Sequence, residues 1–225
     1  MRKMKFGILL VFAVLALVSV ASALPTQAVG SITHPGPSSY WDVDIVSTTP
    51  GGDLDLPVAP DYVGWCADVG TGIDPINNPF TFDVYSSLVP PSQVPAIPTA
   101  NWKNINWVLN NKGGYNWKTI QMVIWHFDGQ SSEPYPWHSS MGTLTQALKD
   151  EYDTLKPVAD THGAFTPSCR DKYAIILYDV TKAQPIFVEG TTTCTETPEF
   201  PNLALPVGMM VGLIGAVYVI KGREK

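Results

Sequence analysis

Short alternating runs separated by Pro and Gly open this chain, and longer helical runs follow them. Ser31 to Asp68 predicts strands: Tyr40–Val46 alternates apolar and polar positions, Pro50-Gly51-Gly52-Asp53 turns, and Tyr62–Cys66 forms another strand ending at Asp68. Gly70 to Pro98 is rich in Pro, Asn and Ser and reads as loop, with one strand at Phe80–Tyr85. The period then changes. Trp102, Ile105, Val108 and Leu109 recur at helical spacing until Gly113-Gly114 stops them. Asn116 can cap a second helix, Trp117 to Phe127, which Asp128-Gly129 ends. Its Ile120, Val123, Ile124 and Phe127 share a face. A third helix is expected from Leu144 to Lys156, started by Thr143 and stopped before Pro157. Strands return at Tyr173–Val180 and Pro185–Glu189. The order strands, helices, strands predicts an α+β fold, a β-sheet core with an inserted helical block in a single ectodomain.

Both ends carry apolar runs of another kind. Arg2, Lys3 and Lys5 precede Phe6–Val20, and Ala21-Ser22-Ala23 is a small-x-small cleavage site. Residues 1–23 therefore read as a secretory signal peptide, with an uncleaved N-terminal anchor as the alternative. The second run, Leu203 to Ile220, is near the lower length for a membrane-spanning helix and closes on the basic tail Lys221-Gly222-Arg223-Glu224-Lys225. Pro198-Glu199-Phe200 stands just before it. A Pro-Glu-Phe tripeptide, a spanning helix and a basic tail resemble the archaeal PEF-CTERM sorting signal. That resemblance implies an archaeosortase-type processing enzyme and transfer to a lipid anchor; the plain alternative is a C-terminal membrane anchor that is never processed. Either arrangement puts residues 24–197 outside the cell.

The 20 acidic residues outnumber the 14 basic ones, and the imbalance grows once the ends are set aside. Residues 24–197 keep 8 basic and 18 acidic residues, a net charge of −10. Such a surface repels phosphate backbones, which argues against nucleic acid as a partner. Three cysteines in an exported chain leave one over. Cys169 and Cys194 flank the C-terminal strands and can pair with each other, stapling that region. Cys66 can instead pair with either of them, or remain a buried inert thiol.

Two strings carry candidate chemistry. Trp65-Cys66-Ala67-Asp68 and Ile120-Gln121-Met122-Val123-Ile124-Trp125 each set one reactive polar side chain among bulky apolar ones. A Cys sulfur can attack a Gln side-chain amide, expel ammonia and leave an internal thioester. These strings, with Asn104–Asn111 before the Gln, resemble the surface thioester domains of Gram-positive adhesins, most closely over Tyr62 to Phe127. Met122 departs from that pattern, where a polar residue usually follows the Gln. The resemblance implies a Cys66–Gln121 thioester, shielded or supported by Trp65, Asp68, Ile120, Ile124, Trp125 and His126. It also implies a single-use covalent adhesion or capture module rather than a turnover enzyme, acylating amines on a protein or glycan of another surface. No cofactor or metal is called for: His34, His138 and His162 are scattered without ligand spacing and read as surface residues.

Three other readings stand beside it. One is a non-covalent surface module with the same anchor. A second is a Cys66–His126–Asp128 hydrolase or transglutaminase-like triad, awkward because residues two apart on a helix point in different directions. The third is a carbohydrate-binding module, prompted by the 7 Trp residues, although most fall at core-like positions.

Overall fold

The computed structural model describes residues 24–34, 38–51, 55–70, 79–89, 97, 99–129, 133–179 and 184–194. Residues 1–193 form one compact unit and 194–225 another, of which only Cys194 is described. The expected signal peptide 1–23, the motif Pro198-Glu199-Phe200 and the span Leu203–Ile220 lie outside the described residues. Among the described residues no helix is long and apolar enough to cross a membrane.

Six strands make the core: β1 (Gln27–Thr33), β2 (Trp41–Thr49), β3 (Ala59–Cys66), β4 (Phe80–Ser86), β5 (Lys172–Tyr178) and β6 (Ile186–Thr191). They close into an antiparallel barrel in the order β1-β2-β3-β6-β5-β4. Closure pairs β4 with β1 as well as β5, so none of the six described strands is left as an open edge. Among the described residues three α-helices, α1 (Trp102–Asn111), α2 (Trp117–Asp128) and α3 (Gln146–Asp160), are inserted between β4 and β5. The α+β fold with a helical block inside a strand framework is thus observed, and the sheet is a closed barrel.

Most of β1 was hidden from the pattern by its small residues. Ala28, Gly30 and Ile32 face inward, and only Ile32 is bulky enough to signal it. A Cβ at Gly30 would lie 2.6 Å from the Asp44 carbonyl oxygen, so the close approach of β1 to β2 needs the glycine. β5 and β6 are buried on nearly every residue rather than on alternate ones. The helices cover their outer face; Trp102 of α1 meets Phe187 of β6 edge-on, with ring centroids 5.8 Å apart.

Asparagines fasten α1 to the barrel. Asn110 exchanges two hydrogen bonds with the Lys172 backbone, at 2.7 and 2.8 Å. One turn earlier, the Asn106 side-chain Oδ1 accepts from Ala174 N and Ser87 Oγ. The second helix begins where expected, with Asn116 Oδ1 accepting from Lys118 N, and ends at Gly129, whose φ of 77° suits glycine. Its burial goes beyond one face, because β3, α1 and α3 all pack on it. The third helix differs from expectation. It starts at Gln146, capped by Thr145, and runs through Pro157 to Asp160. Pro157 stands on the solvent side, between the buried Leu155 and Ala159, so the missing N–H falls where packing is not interrupted.

Candidate functional site

Cys66 is the last residue of β3. Its register partner is Ile186, the first residue of β6, and Ala67 N donates to Pro185 O at 3.0 Å. Neighbouring residues on a strand direct their backbone groups to opposite sides, so the Cys66 N–H and C=O point toward β2. But β2 stops pairing with β3 at Trp41↔Gly64. The vacancy in the ladder is filled by a side chain. Cys66 N donates to Gln121 Oε1 at 3.0 Å, and Gln121 Nε2 donates to Cys66 O at 2.8 Å. The amide of Gln121, wholly buried on α2, thus stands in for a peptide group and locks the end of β3 to the helix.

The sulfur has other neighbours. Gln184 Nε2 donates to Cys66 Sγ at 2.7 Å, and the thiol donates to Asp68 O at 3.0 Å. The Trp125 indole N–H turns toward the same sulfur without reaching hydrogen-bond geometry. Cys66 is 1% exposed and Gln184 3%. Burial pushes the thiol up to about 12, against the pull of nearby backbone and indole groups, and the carboxylates of Asp128 and Asp68 add to the rise.

Each residue expected from sequence can now be placed. Gln121 and Cys66 are brought together, backbone to side chain. Ile120, Ile124, Trp125 and Trp65 all lie in the buried core that contains Cys66. Trp65 points to the opposite side of β3 from Cys66, where its indole N–H donates to Glu189 Oε1 at 2.8 Å and Lys112 binds the same oxygen. Asp68 supplies its carbonyl to the thiol and its carboxylate to Gly70 N. His126 is not brought to the sulfur. Its imidazole lies against α3, with Nε2 3.8 Å from Asp160 Oδ1, and burial together with Lys156 lowers its pKa. The Cys66–His126–Asp128 arrangement therefore lacks its middle member. Cys169 and Cys194 are disulfide-bonded, and Cys66 is the free, buried cysteine.

Trp41, Trp65, Trp102 and Trp125 are buried, and Trp107, Trp117 and Trp137 pack partly against the core. The first four are interior, and the other three are only partly exposed. His34, expected on the surface, is half-buried with Nδ1 2.7 Å from Tyr40 O.

Sequence reasoning missed Gln184. It precedes Pro185-Ile186-Phe187-Val188, and only the Cys66↔Ile186 register brings it to the sulfur. A lone Gln leading into an apolar strand was the available signal. Neither a protein-family model nor a curated protein sequence matches this chain.

Proposed function

We propose that this chain is an exported, surface-anchored capture protein in which Cys66 forms an internal thioester with a buried glutamine, and that Gln184 is the glutamine that reacts. The observation carrying this reading is the 2.7 Å approach of Gln184 Nε2 to Cys66 Sγ. The amide carbon is one bond behind that nitrogen. Gln121, in contrast, uses both polar atoms of its amide to hold the Cys66 backbone. In this reading it is the clamp and Gln184 the acyl donor.

The reaction balances without a cofactor. Cys66 Sγ bonds to the Gln184 amide carbon, and Nε2 leaves with the thiol proton as ammonia. Two groups fixed in attack geometry can contribute about 7–11 kcal/mol toward that barrier. A thioester in so dry a site resists hydrolysis until an amine reaches it. The amine nitrogen then bonds to the Gln184 carbonyl carbon, the C–S bond breaks, and Cys66 returns as a thiol. The product is a permanent amide, which makes the protein a single-use binder rather than a turnover enzyme. The amine belongs to a protein or glycan of another surface. A signal peptide at 1–23 exports the chain. The Pro198-Glu199-Phe200 motif and the apolar run after it hold it at the membrane, directly or through a lipid anchor attached by an archaeosortase-type enzyme.

Peptide mapping of the secreted ectodomain tests the assignment. In the wild type a crosslinked peptide should join the segments holding Cys66 and Gln184. Gln184→Ala should abolish the crosslink, while Gln121→Ala should retain it in a less stable protein. A crosslink to Gln121 that survives Gln184→Ala would transfer the role back to Gln121. One observation favours a second reading, a non-covalent anchored module: a thiol this buried, with its pKa pushed to about 12, is also what an inert core cysteine presents. Absence of any crosslink would leave that reading standing.

A further inference from the structure

A bond to a partner on another surface and an anchor at the membrane pull a chain in opposite directions. The pull runs along the covalent backbone between the two attachment points, and the proposed acyl donor sets one of them. Gln184 stands just ahead of β6, and the motif Pro198-Glu199-Phe200 with its apolar run follows β6. Among the described residues β6 (Ile186–Thr191) is therefore the only element between capture and anchor.

β6 has almost no length to yield. A strand rises about 3.2–3.4 Å per residue, and a fully drawn-out chain about 3.3–3.6 Å. Tension does work only through the extension it gains, so pulling β6 from its two ends does little work on the fold. The strand is also held on both sides. Gly64, Trp65 and Cys66 of β3 pair with Val188, Phe187 and Ile186, while β5 pairs with it from Lys172↔Thr191 to Leu177↔Ile186. Both ends are tied beyond the ladder: Pro185 O accepts from Ala67 N at 3.0 Å, and Thr192 N donates to Asp171 O at 2.9 Å.

The other glutamine would load the fold differently. Between Gln121 and the anchor motif lie the rest of α2, all of α3 and β5. A helix rises only about 1.5 Å per residue, less than half of what the same residues give when drawn out. The Cys169–Cys194 disulfide shortens that route but leaves α2 and α3 in it.

We infer that β6 alone bears the load between a captured partner and the membrane anchor, so that the rest of the barrel and its helices hang on this strand without being pulled. The inference rests on the thioester reading with Gln184 as donor. The amine nitrogen has then bonded to the Gln184 carbonyl carbon, the C–S bond has broken, and the amine proton has passed to Cys66 as its thiol. No covalent link is left to carry tension from Gln184 to β3. The pull enters at Gln184, runs through Pro185 and β6, and leaves past Cys194, with Cys169 joined to that line as a side branch. The tether is thus as strong as its backbone bonds, whatever the stability of the fold around it.

Force spectroscopy on the secreted ectodomain tests it, with the C-terminus fixed to a surface and an amine-ended polyethylene glycol tether captured in place of a partner. Peptide mapping of the same preparation shows which glutamine took the amine. With the tether on Gln184, force should rise smoothly to rupture without a lengthening step. The methylamine-opened protein pulled from its N-terminus instead should unfold in steps, releasing on the order of 500 Å of chain between residue 24 and Cys169. That control fixes the force at which the fold gives way. Lengthening steps at such forces with the tether mapped to Gln184 would overturn the load path while leaving the thioester. A tether mapped to Gln121 would overturn the choice of donor and the load path with it. No uptake of the amine would overturn the thioester reading itself.

Discussion

Gln184 and Gln121 approach Cys66 from different sides and touch different parts of it: the first meets the sulfur at 2.7 Å, the second the backbone N–H and C=O at 3.0 and 2.8 Å. One cysteine therefore has two buried amides, one on its sulfur and one on its backbone, and the proposed function gives the first the reaction and the second the support.

The supporting role predicts a cost that is mainly thermodynamic. Gln121→Leu keeps the volume of the side chain and removes both hydrogen bonds. The Cys66 N–H and C=O would be left in a dry core, which costs on the order of 2–4 kcal/mol. Urea unfolding should show a lower midpoint with an unchanged slope. An unchanged midpoint would mean that the end of β3 finds other partners.

Gly64 predicts a steric effect two residues from the sulfur. A Cβ there would stand 2.7 Å from Val43 Cγ2 and 2.9 Å from Trp41 Cβ, both on β2. Gly64→Ala must push β3 from β2 and should destabilise the fold by about 1–3 kcal/mol. It should also slow crosslink formation, since Cys66 moves with the strand. Crosslinking at the wild-type rate in a destabilised Gly64→Ala would separate strand packing from sulfur placement.

Lys112, at the end of α1, binds the Glu189 carboxylate that also accepts the Trp65 indole N–H. The Glu189 side chain is only 7% exposed, so removing the cation strands a charge. Lys112→Ala should destabilise by roughly 1–3 kcal/mol, and adding Glu189→Gln should recover part of that loss. A loss in the double variant as large as in the single one would contradict the pairing.

On the thioester reading, the thiol brings a pH dependence that appears only once the bond is open. With Cys66 present as a thiol, burial raises its pKa from 9.0 to about 12, and the methylamine-opened protein should carry that thiol. The folded state then holds its proton more tightly than the unfolded chain does. Its contribution to stability is full below pH 9.0 and is lost as pH rises toward about 12. Tyr152, raised to about 12 chiefly by burial, acts in the same sense in either form. Urea midpoints should therefore fall more steeply above pH 9 in the opened protein than in the intact one. Parallel curves for the two forms would show that Cys66 is not the titrating difference.

Periodicity made the helices legible, and end signals placed two of their boundaries well: Asn116 and Gly129 bracket α2 as expected. It misled at Pro157, because a proline's effect depends on which side of the helix faces solvent, and that is set by packing. The inner face of β1 was quiet because Ala28 and Gly30 pack by their smallness. At the site, Cys66 and Gln121 stood out through their apolar surroundings. Gln184 did not, since its meeting with the sulfur is created by strand register across 118 residues of chain. The flanking pattern that drew attention to Gln121 reflects a buried helix that needs a polar group satisfied, a demand that a structural clamp meets as well as a reactant.

The most direct test of the central claim is the intact mass of the secreted ectodomain, non-reduced, before and after methylamine. The account predicts a native mass short by one ammonia beyond the hydrogens lost to the Cys169–Cys194 disulfide. It also predicts the gain of one methylamine on treatment, with Cys66 becoming open to alkylation once the protein is unfolded. A full native mass with a Cys66 thiol already present on unfolding would contradict it.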